Sequence, residues 1–385
     1  MILRMLLPFI LLLVLPDLYI YKVYIRHRAK TKAQKWLYWA PTILLSLLLL
    51  LLFLGHLQHV SAFKYFFVVF LCFVAPKMLF TIFSLIGKGL SYLHPVCQKI
   101  FDTIGCVLGL CAVGILIYGS VWGWKHFTVK EQTFVSADLP AAFDGYKIVQ
   151  FSDMHIGTLI GNEEEVGNIM DLINSQNANM ICFTGDLVNG NANELNTFVP
   201  YLSKLKAPDG VYSIMGNHDY CTYGAFANEE ARKQSVETLH QTERNAGWDL
   251  LLNENRIIRK GNDSIALVGV ENDGRPPFPQ YGDLPKATAG LSKGCFKLLL
   301  SHDPTHWRRR VLPETDIQLM LAGHTHGMQV QFGSFSPASF AYDEWGGFYE
   351  ENGRGLYISL GIGEVMFPFR FGAWPEINVI TLKKK

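Results

Sequence analysis

The stretch YKIVQFSDMH, residues 146–155, joins a short apolar run, Tyr146 to Phe151, to a polar stop that carries Asp153 and His155. A run of this length, rich in β-branched and aromatic residues, reads as a buried strand. The same pattern returns four times, in MICFTGD (180–186), VYSIMGNHD (211–219), FKLLLSHD (296–303) and IQLMLAGHTH (317–326). Strands are predicted over Met180 to Phe183, Val211 to Met215, Phe296 to Leu300 and Ile317 to Leu321, each ending on residues able to carry chemistry. Loops at strand carboxyl ends are where open α/β sheets place ligand sites. Oxygen and imidazole donors converging from several such loops suit hard to borderline divalent metals. Five of the twelve histidines (His155, His218, His302, His324 and His326) fall at these strand ends, a clustering that unrelated loop and core histidines would not produce.

Taken singly, Asp-x-His and Gly-Asp are ordinary turn chemistry. Taken together and in order, Asp153-Met154-His155, Gly185-Asp186, Gly216-Asn217-His218-Asp219, Ser301-His302-Asp303 and Gly323-His324-Thr325-His326 resemble the signature of the calcineurin-like metallophosphoesterases. The resemblance runs from Gly145 to Leu382. Gly361-Ile362-Gly363, Pro368-Phe369-Arg370 and Pro375-Glu376-Ile377 look like the branch of that family carried on N-terminal membrane segments. Relatives in that branch often follow Gly-His-Thr-His with two glycines and a glutamine. Here Gly327-Met328-Gln329 stands instead, so Met328 is expected to alter the pocket lining.

The resemblance implies two divalent metal ions: Asp153, His155 and His326 would hold one, Asn217, His302 and His324 the other, and Asp186 would bridge them. A bridging carboxylate offsets the repulsion of two dications. Ions roughly 3.5–4 Å apart can lower the pKa of a shared water, and the resulting hydroxide would attack phosphorus in line. Mn, Fe and Zn all suit His and Asp donors, and no cysteine belongs to the set. Because Asn217 takes the metal position, His218 is assigned as proton donor to the leaving group. Asp219 reads either as the group that orients His218 or as a turn aspartate. Asp303 and Pro304 are expected to cap the next helix, and His306 and His240 to be packing or surface residues. Gly185, Gly216 and Gly323 are expected to allow tight turns. Arg275 and Arg370 are candidates for gripping a phosphate or head group, since guanidinium suits oxyanions. The segment Phe332 to Gly355, rich in Gly, Phe, Tyr and Ser, reads either as a substrate-facing lip or as an ordinary loop.

Between the motifs the chain alternates helix and strand. Glu163 to Gln176 sets Val166, Ile169, Met170 and Ile173 on one helical face, with Asn162 as N-cap and three glutamates at the positive end of the dipole. Glu194 to Leu205 repeats the pattern, with a kink or break expected from Pro200. A longer helix is predicted over Ala227 to Ala246, then a strand at Trp248 to Leu252. Strands near Ile265 to Val270 and Leu356 to Leu360 belong to a second sheet. The expected fold is an N-terminal helical transmembrane region (1–125), a linker (126–144) and an α/β metallophosphoesterase domain (145–385) with a two-sheet β core flanked by helices.

The N-terminal region is dominated by Leu, Phe, Ile and Val, and four stretches approach the roughly 20 apolar residues a bilayer requires: Met5 to Tyr24, Trp36 to Leu54, Tyr65 to Leu85 and Ile104 to Val121. The first lacks a small-residue cleavage site and is followed by further spans, unlike a signal peptide. Lys22, Arg26, Arg28, Lys30, Lys32 and Lys35 crowd between the first two spans with no acidic residue, so that loop is expected in the cytoplasm. Lys88 to Lys99 is also basic. Four spans then put the catalytic domain on the outer face of the cell membrane. A re-entrant third segment, for which Pro76-Lys77 is the argument, would put it inside. The net charge of +1, with no basic face in the soluble part, argues against a nucleic-acid partner. The seven cysteines are scattered and imply no disulfide framework.

The leading function is a membrane-anchored phosphohydrolase acting on a phosphoester or pyrophosphate, with a lipid or lipid-linked substrate favoured because four helices exceed what tethering needs. One alternative is an enzyme like the UDP-2,3-diacylglucosamine pyrophosphohydrolases of lipid A synthesis, whose substrate is cytoplasmic. An envelope phosphodiesterase or phosphomonoesterase is another. A non-catalytic metal-binding membrane scaffold is the alternative of a different class.

Overall fold

The computed structural model describes residues 2–54, 60–365 and 367–385. It divides into two compact units: a helical one running to Trp122, which also takes in Phe367 to Phe369, and a second one formed by the rest of the chain from Gly123.

The first unit holds four long helices, α1 (Ile2–Ile20), α2 (Lys32–Phe53), α3 (Val60–Leu90) and α4 (Val96–Val121), each long and apolar enough to cross a membrane. Thr31 and Gln34 form a reciprocal capping box at the start of α2. Gly105 and Gly109, one turn apart on α4, let it approach the α3 backbone at Phe80 and Pro76, the small-residue packing typical of helices in lipid. The third segment is one continuous helix through Pro76 rather than a re-entrant loop. The Lys77 ammonium lies 2.6 Å from the fully buried Asp17 carboxylate of α1, which Thr42 and Tyr38 of α2 also bond. A lysine at that depth is tolerable because its charge is paired inside the bundle.

The second unit carries strands β1 (Thr128–Ser136), β2 (Lys147–Phe151), β3 (Met180–Phe183), β4 (Val211–Ser213), β5 (Asp249–Leu250), β6 (Glu254–Lys260), β7 (Asp263–Gly269), β8 (Lys297–Leu300), β9 (Leu319–Ala322), β10 (Gly347–Glu351), β11 (Arg354–Ile358) and β12 (Glu376–Lys384). Among the described residues they form two six-stranded sheets, in the orders β1-β12-β2-β3-β4-β5 and β10-β11-β9-β8-β7-β6. Side chains alternate across each strand. Ile148, Met180 and Cys182 of the first sheet meet Leu298, Leu300, Leu319 and Leu321 of the second in one core. Val149, Ile181 and Phe183 face the other way, toward α5 (Glu163–Ser175), α6 (Val199–Leu202) and α7 (Glu229–Asn245). Leu299 and Met320 pack outward against Trp307 and Val311. The result is a two-sheet sandwich with helices outside. The strands β2, β3 and β4 run parallel in one sheet, as do β8 and β9 in the other.

Several expectations change in detail. Residues 126–144 are no linker, because β1 pairs in parallel with β12 along its whole length and Phe143 is buried. Most of β1 is exposed, so its sequence lacks the apolar alternation that marks a strand. The helix expected over Glu194 to Leu205 is two short pieces, Ala192–Leu195 and Val199–Leu202. The break precedes Pro200, which sits in the first turn of the second piece, where its missing N–H costs nothing. Asn162 makes no side-chain cap; the Glu163 carboxylate instead accepts the Gly161 N–H.

Candidate metal centre

The carboxyl ends of β2, β3, β4, β8 and β9 deliver their loops to one place. Asp153, His155, Asp186, Asn217, His302 and His326 are all buried there, with His218 and His324 partly exposed. Turning so many donors inward from straight strands strains the backbone. Left-handed φ angles occur at Asp153 (52°), His155 (41°), Asp186 (61°), His324 (76°) and His326 (50°). Such angles cost non-glycine residues about 1 kcal/mol or more each and persist only where the surroundings over-determine them. The surroundings here are a backbone network: Asp153 N–H donates to the Gly185 carbonyl (2.9 Å), His155 N–H to that of Asp186 (3.1 Å) and Gly323 N–H to that of His302 (2.9 Å). Gly185 has φ 94°, as a turn glycine should, but Gly323 is glycine for space, since a Cβ there would strike Ser152 and the Asp153 carboxylate.

Three donor sets emerge whose ligand atoms all lie within 4.8 Å of one another: Asp153, His155 and His326; Asp186, His302 and His324; and His155, Asp186 and His218. His155 Nε2 stands 3.6 Å from Asp186 Oδ2, and His302 Nε2 3.3 Å from the same oxygen. Asn217 Oδ1 lies 2.9 Å from His324 Nδ1, beside the second set.

The donor chemistry fits a divalent metal. The Thr184 carbonyl can only accept, so His302 donates to it from Nδ1 (2.7 Å) and turns Nε2 toward the carboxylates. Burial opposes charge on His302, yet the Asp186 and Asp153 carboxylates outweigh it and push the imidazole up to about 10. A cavity that draws a positive charge onto a fully buried ring favours a cation among these donors. Burial pushes the Asp186 carboxyl up, but His302 and His218 hold it well below the usual carboxylate range. Burial pushes both His155 and His324 down, leaving neutral rings with lone pairs to offer. Among the described residues, the ion-pair partners of Asp153 and Asp186 are histidines alone.

His218 belongs to the third of these sets and is positioned by contacts of its own. Its Nδ1 lies 2.7 Å from the Asn189 carbonyl, its ring stacks on Tyr223 (centroids 4.2 Å), and its backbone N–H donates to Asp186 Oδ1 (2.8 Å). Orientation of His218 thus comes from Asn189 and Tyr223, not Asp219. The Asp219 carboxylate instead accepts backbone N–H groups from Asp186 (2.7 Å), Leu187 (2.8 Å), Val188 (3.2 Å) and Gly216 (2.8 Å), locking two ligand loops together.

Arg370 is also corrected. It is fully buried and cannot meet a phosphate from solvent; its guanidinium lies 3.0 Å from His326 Nδ1 and bonds three backbone carbonyls. Arg275 is exposed, tied to the Ala341 carbonyl (2.6 Å), its guanidinium 5.9 Å from the centre of the Tyr342 ring. Met328 is half-exposed with φ 47°, a left-handed angle that a glycine would adopt at less cost. His306 is buried beside Ser301 and Asp273 and takes no part in the donor sets.

Two residues escaped the sequence. Tyr342, from the aromatic segment Phe332 to Gly355, sets its hydroxyl 3.0 Å from His324 Nε2. Asp303 does hold the next turn through Oδ1, which accepts from Thr305 (2.8 Å), but its buried Oδ2 lies 3.6 Å from His324 Nε2. An Asp following a strand-end His carries no mark separating cap from histidine partner. A carboxylate behind a ligand histidine raises its basicity. Asp303→Asn is therefore expected to weaken Mn²⁺ or Zn²⁺ binding about 10–100-fold by calorimetric titration, and unchanged affinity would remove Asp303 from that role.

A family model described as probable calcineurin-like phosphoesterase, transmembrane domain, matches residues 3–124, and one described as calcineurin-like phosphoesterase matches residues 146–328. The chain is 32% identical over 293 residues to "Uncharacterized metallophosphoesterase YkuE" of Bacillus subtilis, covering 72% of this chain and 95% of that one. It is 27% identical over 288 residues to "Transmembrane protein with metallophosphoesterase domain" of Danio rerio, covering 72% of this chain but only 62% of that relative. An uncharacterised metallophosphoesterase of Aquifex aeolicus is 26% identical over 260 residues, 67% of this chain and 92% of that one.

Proposed function

Because this chain belongs to the calcineurin-like metallophosphoesterases and joins their catalytic domain to four apolar helices, we propose that it uses two divalent metal ions to hydrolyse a phosphoester of a lipid or lipid-linked substrate. The two-ion reading is supported by the donor sets themselves: Asp153, His155 and His326 on one side, His302, His324 and Asn217 on the other, with Asp186 reaching histidines of both. Ions bound there would supply Lewis acidity toward a phosphoryl oxygen and a water of lowered pKa. The remaining work falls to the chain. Asp186 keeps the centre negatively charged against burial, and Asp219 fixes the loops on which Asp186 and Asn217 ride. His218, in its doubly protonated form, keeps Nδ1–H on the Asn189 carbonyl and has Nε2–H free to protonate a leaving alkoxide. Tyr342 and Phe278 cover the His324 ring and limit water.

The observation that favours a lipid is the aromatic segment. Phe332, Phe335 and Phe340 are 51%, 46% and 84% exposed on the same segment that brings Tyr342 to His324. Exposed aromatics clustered beside a site suit an apolar substrate body or a bilayer surface. Phe335→Ser/Phe340→Ser is expected to lower the rate on phospholipid mixed micelles about tenfold, from lost apolar burial, while leaving a water-soluble phosphodiester unaffected. Equal loss on both substrates, or loss on neither, would contradict the lipid reading.

The basic loop after α1 supports an extracytoplasmic catalytic domain. A periplasmic-type reporter fused after Lys385 is then active and a cytoplasmic one silent. The reverse would refute that orientation and favour a pyrophosphate of a UDP-linked lipid made in the cytoplasm.

A further inference from the structure

The helical unit contains a site of its own. Between α1 and α3 lies a cavity of about 530 Å³, walled by Pro8, Leu12, Pro16 and Tyr19 on one helix and Met78 and Leu85 on the other. Its walls are almost wholly apolar, so water has no partners there. It lies within segments that span the membrane, where the surrounding medium is hydrocarbon.

The two walls end alike. Lys22 stands in the π-helical turn Tyr21–Ile25 that directly follows α1, and Lys88 stands seven residues beyond Thr81, on the same face of α3; both lysines are exposed. α1 and α3 run in the same direction, since Phe9 meets Phe70, Asp17 meets Lys77 and Tyr19 meets Ser84. The two lysines therefore finish the two walls at the same end of the bundle. That end is stiffened by Tyr19 and Tyr24, both bonded to Ser84 Oγ (2.9 and 2.5 Å), with Tyr24 donating on to Asp102 (2.8 Å). It is also the end that carries the loop of Arg26, Arg28, Lys30, Lys32 and Lys35, without an acidic residue.

An apolar slot closed by a hydroxyl and flanked by two cations has the polarity sequence of a phospholipid: acyl chain, ester region, phosphate. We propose that the groove between α1 and α3 binds one anionic phospholipid, an acyl chain lying in the slot and the phosphate head between Lys22 and Lys88. Charge decides the class, because the slot alone would take any acyl chain, whereas paired lysines at its mouth select a head group with net negative charge.

The test is native mass spectrometry of the full chain in mild detergent, supplied with equal phosphatidylglycerol and phosphatidylcholine of matched chains. Wild type is expected to retain one phosphatidylglycerol in preference. Lys22→Gln/Lys88→Gln should cut that preference about 30-fold, each lysine near a bilayer surface contributing a factor of about five. Lys99→Gln, away from the slot, should leave it intact. Leu12→Trp, which fills the slot while keeping both lysines, should abolish retention of either lipid. Equal retention of the two lipids by wild type, undiminished preference in the double lysine variant, or lipid retained after Leu12→Trp would each overturn the proposal.

Discussion

Asp186→Asn is expected to lower kcat/KM on any phosphoester substrate by on the order of 10³ or more, the scale on which preorganised charge acts in such sites. The variant keeps the shape of the side chain and can still accept the His218 N–H at Oδ1, so the loop that carries His218 stays in place. What it loses is the charge that His302 Nε2 meets at 3.3 Å and His155 Nε2 at 3.6 Å, one from each half of the donor set. Stability should fall as well. The Asp186 carboxyl is held below its usual range and the His302 imidazole above its own, so at neutral pH their charge pair stabilises the metal-free fold, and the metal-free variant should melt below metal-free wild type. Added Mn²⁺ or Zn²⁺ should raise the melting temperature of wild type and leave that of the variant nearly unchanged. Wild-type turnover by the variant would remove Asp186 from the centre, and a scaffold without catalysis would show no turnover in either protein.

Arg370→Met is expected to cause the largest loss of stability, about 3–5 kcal/mol, or about 10 °C in melting temperature for a domain of this size. The guanidinium is fully buried and donates to the carbonyls of Gly363 (3.1 Å), Ala373 (2.9 Å) and Leu360 (2.9 Å), besides facing His326 Nδ1 at 3.0 Å. Methionine fills much of the volume but leaves these acceptors unpaired in a dry interior, where each retains its desolvation cost. Lysine should restore little, because a single ammonium cannot reach a fork of acceptors spaced for guanidinium. Thermal unfolding of the full chain in detergent measures both variants, and a midpoint within a degree or two of wild type would contradict the account. The metal response should fall as well, since His326 loses the group that fixes its ring.

The two effects differ in how far they could be read from sequence. Asp186 was legible because ligand residues lie at the ends of strands whose apolar runs are unmistakable, MICF before Gly185-Asp186 being one. The same runs gave away β2, β3, β8 and β9, all fully or nearly fully buried on both faces. Strands with one face in solvent were harder. β1 exposes most of its residues and β6 fully buries just Ile258, so Thr128 to Ser136 read as linker and Glu254 to Lys260 as nothing in particular. Roles that depend on which way a side chain turns were hidden entirely. Arg370 resembles a phosphate grip until its burial is seen, and Asp219 follows His218 in sequence yet points at the backbone of Asp186 through Val188. The pairing of Asp17 with Lys77 is invisible in sequence because nothing in a hydropathy pattern links one span to another.

The central claim is that a divalent metal held by these residues makes the chain a phosphoester hydrolase. The most direct measurement is the initial rate of hydrolysis of bis-(p-nitrophenyl) phosphate by the full chain before chelation, after removal of metals with EDTA, and after Mn²⁺ is restored. The account predicts that turnover disappears on stripping and returns with the ion. A rate unchanged by stripping, or no turnover by a chain that demonstrably binds the restored metal on any phosphoester offered, would contradict it.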